Sequence, residues 1–156
     1  MVPLLVATVL LGCPAEQPVQ VTVVVILAST EQTTIDPRLV DLAKEVQKRD
    51  PKLVGFKVAA TESRSLPVGK SFAVELVDQQ ELKVKVETPR DAAGRISVTI
   101  QPPGLEKITY ACTCGKFFPV VTPYRTKAGE VLILAVMAKP CTLGGQRGWF
   151  PWIDPL

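Results

Sequence analysis

The sequence predicts an α+β fold: one β-α-β unit followed by an antiparallel β meander, with a single helix packed on a β-rich sheet or sandwich. Three observations carry this. Residues 19–28 (VQVTVVVILA) are a nearly continuous β-branched run, short and apolar on both faces, as a central strand covered on both sides reads. One punctuated amphipathic helix follows it. Beyond Pro51 the pattern changes to short alternating segments parted by turn signals and stays there.

The helix is bounded by chemistry at both ends. Asp36 is a good N-cap, Pro37 suits the first helical position, and Asp50-Pro51 closes the segment. Between them Leu39, Leu42, Ala43 and Val46 recur at i, i+3, i+4, i+7 and form one apolar stripe. Lys44, Glu45, Lys48 and Arg49 fall on the solvated side. Strands are predicted over 54–60, 70–77, 81–88, 95–101, 107–114, 117–124 and 130–138. Turn signals lie between them at Pro67/Gly69, Asp78-Gln79-Gln80, 89–94, Pro102-Pro103-Gly104 and Ala128-Gly129. A helical crossover would make the first two strands parallel, and hairpins would pair the rest.

Composition narrows the chemistry. A chain of 156 residues suits one domain with a single core. With 47% hydrophobic and 21% charged residues, it has the balance of a globular protein. The net charge of +3 is spread along the chain, without the clustered basic stripe that nucleic-acid binding needs. There is no His, which removes Ser-His-Asp and Cys-His catalysis and every His-based metal site. There is no Asn either, so no N-glycosylation sequon exists. Chemistry is left to Cys, Asp/Glu, Lys, Ser/Thr and Tyr. No cofactor motif is present: Gly144-Gly145-Gln146-Arg147-Gly148 lacks the strand and helix of a phosphate loop.

Residues 1–18 read as an export signal and tether. The run from Val2 to Gly12 is apolar apart from Thr8. It is too short to cross about 30 Å of hydrocarbon, which takes roughly 20 helical residues, and it fits the apolar region of a secretory signal. Leu10-Leu11-Gly12-Cys13 resembles the bacterial lipobox, which implies lipidation at Cys13 with 14–20 as a tether. No Lys or Arg precedes Arg38, so the positive leader of such signals is missing. A plain export signal and an extra buried strand remain the alternatives. The folded domain is expected over 19–141, and 142–156 forms a Gly/aromatic tail.

Two constellations stand out in the rest. Cys112-Thr113-Cys114 places two thiols on one side of a strand, with Cys141 as a third. If the last hairpin turns at 126–129 with Arg125 opposite Glu130, the register brings Cys114 opposite Cys141. A bulge at Gly115 or Pro119 would shift the partner to Cys112. A structural disulfide is the leading reading; a soft-metal thiolate site and redox-active thiols are the others. The tail concentrates Trp149, Phe150 and Trp152, including both tryptophans of the chain. Such side chains anchor protein interfaces, sit at lipid headgroups, or fold back over an apolar patch of their own domain. Glu75, Asp78, Glu81 and Glu87 surround one hairpin and read as solvated strand-end acids.

An apolar strand ending in Ala28-Ser29 precedes the helix start Asp36-Pro37-Arg38-Leu39. With Ser65-Leu66-Pro67-Val68-Gly69 and the closing run Val131-Leu132-Ile133-Leu134-Ala135-Val136, this layout resembles a family of bacterial exported envelope α+β domains. The resemblance covers roughly residues 21–138 and rests on framework positions. It implies fold and location and assigns an activity to no residue. The expected function is a non-catalytic envelope domain that binds another protein, an accessory subunit of a membrane-associated assembly, periplasmic or outer-membrane-associated. The rival is a thiol-based metal or redox protein using Cys112, Cys114 and Cys141.

Overall fold

The computed structural model describes residues 17–141. The β-branched run becomes β1 (Val19–Ser29), and its alternation works on both faces. Val19, Val21, Val23, Val25 and Leu27 enter one core, while Val24, Ile26 and Ala28 enter another. The same holds for the closing apolar run, β8 (Val131–Pro140): Leu132, Leu134, Val136 and Ala138 face the first core, Val131, Ile133 and Ala135 the second. These two strands lie side by side at the centre of one sheet, ordered β2-β1-β8-β7 with β2 (Gly55–Leu66) and β7 (Phe118–Arg125) at its edges. Burial of both faces is what keeps polar side chains out of their middles, residues 23–28 and 131–138.

A second sheet is a true meander of β3 (Ser71–Glu75), β4 (Glu81–Val86), β5 (Arg95–Gln101) and β6 (Ile108–Thr113). Phe72, Val74, Leu82, Val84, Val86, Ile96, Val98 and Ile100 point inward, and the residues between them face water in the period-2 manner of a half-buried sheet. The two sheets stack as a sandwich. On the other face of the first sheet lies α1 (Val40–Arg49), entered through a 3-10 turn at Pro37–Leu39. Asp36 opens that turn by accepting the Arg38 backbone N–H at 2.9 Å, and its carboxylate also holds the Arg38 guanidinium at 2.7 Å. Leu39, Ala43 and Val46 are buried and Leu42 partly so, as the apolar stripe requires.

The expected parallel pairing of the first two strands is corrected. β1 and β2 are antiparallel, with Ser29 opposite Gly55, and every strand pair in both sheets is antiparallel. A parallel β2 would have to begin beside Val19, at the far end of an 11-residue strand roughly 35 Å long. The 10-residue helix rises only about 15 Å. Both of its flanking segments are moreover tied to the Ser29 end. The Val54 N–H donates to the Ser29 carbonyl at 2.8 Å, and the Phe56 N–H to that of Thr34 at 3.0 Å. The helix therefore loops out over the sheet and returns to where it left.

The meander is also shorter than expected. The chain changes sheets after β2 and again after β6, and β8 inserts between β7 and β1 instead of lying at an edge.

Candidate functional site

The thiols were the first candidate. Cys112 is in β6 and points between the sheets, where it is buried. Burial first, and the neighbouring Cys114 second, push its thiol up to about 11, and it donates to the Tyr110 carbonyl at 3.8 Å. Cys114 is partly buried and also raised, chiefly by burial. Cys141 follows β8 in the other sheet, its sulfur 3.2 Å from the Ser65 hydroxyl. All three are free, and no two lie within disulfide distance.

The register argument that joined Cys114 to Cys141 fails for two local reasons. The turn at Thr126 and Gly129 forms as expected, but Arg125 pairs with Val131, and a shift between Val121 and Arg125 resets the ladder. Further back the hairpin does not continue. Gly115 takes a left-handed φ of 76°, the Lys116 N–H closes on the Thr113 carbonyl at 3.1 Å, and the chain crosses to the second sheet. The Cys114 N–H bonds Gly94 there, so Cys114 and Cys141 belong to different sheets. Among the described residues no three Cys, Asp or Glu side chains gather as a metal site would need.

The hairpin carboxylates are dispersed as well. Glu75 and Glu81 face each other across β3 and β4 and are exposed. Glu87 pairs with Lys85 at 3.0 Å, and hydrogen bonds from Lys85 and then Thr99 hold its carboxyl below the usual range. Asp78 accepts the Tyr124 hydroxyl at 3.1 Å, which clasps the β3–β4 turn to β7 of the other sheet.

Alternation along residues 117–119 builds what sequence reading missed. Phe118 turns inward, its ring 4.5 Å from that of Tyr110, while Phe117 turns to the helix side. Phe117 and Pro119 form one bank of a groove along α1, Leu42 and Glu45 the other, and Val24, Ile26 and Ala135 the floor. The cavity measures about 340 Å³, in the lower part of the range for small-ligand sites, roughly 300–1,000 Å³. Its rim carries Arg38, Asp41 and Glu45. The doubled aromatic at 117–118 was the available signal, since neighbours in a strand must face opposite sides.

The chain ends of the domain meet. Val19 pairs with Pro140, and the Cys141 N–H donates to the Pro18 carbonyl at 2.9 Å. Cys13, Trp149, Phe150 and Trp152 lie outside the described residues. No helix among the described residues is long and apolar enough to cross a membrane. No protein-family model, curated protein or solved structure matches the chain.

Proposed function

We propose that this chain is a non-catalytic, exported envelope domain that binds another protein as an accessory subunit of a membrane-associated assembly. A lipid on Cys13 tethers it, and Trp149, Phe150 and Trp152 contact the partner. The observation that carries the reading is the hydrogen bond from Cys141 to Pro18. It sets the start of the tail beside the end of the tether, so the proposed anchor at Cys13 brings the root of the tail to the membrane-proximal pole, with the aromatic residues in reach of a partner there. A single acyl chain binds only marginally, so the stable anchor has the several chains of a bacterial lipoprotein. The dispersed carboxylates and the raised, protonated thiols of Cys112 and Cys114 support a binding role over a thiolate metal or redox centre.

The test is affinity capture from the native membranes, comparing the full chain with a form lacking 142–156 and with Trp149→Ala/Trp152→Ala. The expected result is a stoichiometric partner, identified by mass, that both variants lose. A partner set unchanged by either variant refutes the tail as the contact, and a water-soluble, unacylated mature protein refutes the tether.

A further inference from the structure

Beyond Val24 and Ala135 the outer face of the first sheet continues toward the chain ends with Met137 and Thr22, which pair across β1 and β8 and are both buried, the Thr22 hydroxyl 2.9 Å from that of Ser63. Met137 is only 2% exposed. Next to the groove, in a smaller cleft that shares Glu45 and Pro119 with it, Val121 is 39% exposed, one of two large apolar side chains left so open among the described residues.

We propose that the groove between α1 and the 117–119 bank is the docking site of the chain's own C-terminal tail, with Trp149 and Trp152 as its occupants. The reach fits. From Cys141 back to Ala135 along β8 is about 20 Å at strand rise. The eight steps from Cys141 to Trp149 span at most about 28 Å. Gly144, Gly145 and Gly148 supply the freedom to reverse direction. Arg147, two residues before Trp149, has two carboxylates to meet on the rim, Asp41 and Glu45, which stand beside Arg38 and are paired with Lys44 and Lys48. Indoles suit the floor, because aromatic side chains bury large apolar areas while the indole N–H keeps a polar edge for the rim. This inference does not rest on a partner existing. Where a partner takes the same residues, it competes with the groove.

Both tryptophans of the chain are in the tail, so intrinsic fluorescence of the full protein reports on the tail alone. Docking predicts blue-shifted emission shielded from acrylamide and independent of protein concentration and of added lipid vesicles. Leu42→Glu, on the groove's lip, moves the emission to its solvent-exposed position with far-UV circular dichroism unchanged. Arg147→Glu, outside the folded domain, weakens the shielding in the same direction and decides the matter if Leu42→Glu fails to fold. Solvent-like emission in the unaltered protein overturns the proposal. So does shielded emission that neither variant changes. A blue shift that appears only with concentration assigns the groove to a second copy, one that appears only with vesicles assigns the tail to a membrane, and either overturns it too.

Discussion

Gly55 is the position where a single methyl group does most damage. It is buried at the start of β2, opposite Ser29, and the 30–36 loop passes directly over its Cα. A Cβ built there meets the Gln32 carbonyl oxygen at 1.8 Å, its carbon at 2.9 Å and the Thr34 oxygen at 3.3 Å. All three are backbone atoms, so no side chain can swing aside, and the loop must retreat by more than an ångström. That loop is held by the hydrogen bonds from Phe56 to Thr34 and from Asp36 to Phe56, at 3.0 and 2.9 Å. Retreat breaks them and shifts Asp36, which launches the helix. Relief of unfolded-chain entropy favours Gly→Ala by about 0.4–1 kcal/mol where the site accepts it, whereas overpacking costs about 1–3 kcal/mol, occasionally more. The clash is severe enough for overpacking to win. Gly55→Ala is expected to lose about 1–3 kcal/mol in urea titration with an unchanged m-value, and to melt roughly 2–12 °C lower at about 2–4 °C per kcal/mol. Equal or greater stability than the parent would show that the loop does not lie over Gly55, and the docking of α1 would fall with it.

Asp36→Ala is expected to cost about 1 kcal/mol through the lost cap. The Arg38 guanidinium, and then its backbone N–H, hold the Asp36 carboxyl below its ordinary value. Its contribution is therefore complete above the unfolded pKa of about 3.9 and is lost as pH falls through the lower folded value; a stability–pH titration of Asp36→Asn should lack that acid-limb loss. Cys112 works in the opposite sense. Its folded pKa of about 11 means that its contribution is present below the unfolded value of about 8.5 and is lost as pH rises toward 11. Alkylation at neutral pH should label Cys112 only on unfolding, and rapid labelling of Cys112 itself in the native protein, located by peptide mapping, would refute its burial.

What could be read from the sequence was whatever a residue's own neighbours decide. The two-faced burial of β1 and β8, the helix stripe from Leu39 to Val46, and the period-2 strands of the second sheet all follow from local alternation. Partner choice does not, because alternation tells which face is buried and nothing about which strand lies alongside. Residues 61–65 (TESRS) show the cost. Their polarity reads as a loop, yet they pair with Val24 to Gln20 as the edge of the first sheet, where charged side chains such as Glu62 and Arg64 keep the edge from recruiting other strands. The thiol register failed at Gly115, where one left-handed residue ends the hairpin. The groove was beyond reach for another reason: its floor, banks and lip come from β1, α1, β7 and β8 and meet only once both sheets are assembled.

The two cores share their middle layer, β1 and β8, and this links the end of the sheet where Val19 and Pro140 pair to the helix. β1 and β8 pair antiparallel from Val19 and Pro140, where the described chain ends meet, to Ala28 and Val131. The groove floor at Val24 and Ala135 therefore lies roughly 20 Å along the paired strands from the end where the chain ends meet, with α1 over it. Under the two proposals a tail leaving at Cys141 has two destinations: outward to a membrane-associated partner, or back along β8 toward Leu42. The apolar face supplies the drive for the second, at about 25 cal/mol for each Å² covered. Binding a partner must exceed that before the tryptophans are released. Variants that empty the groove should then bind the partner more tightly than the parent chain does, and those that delete the tail should not bind it.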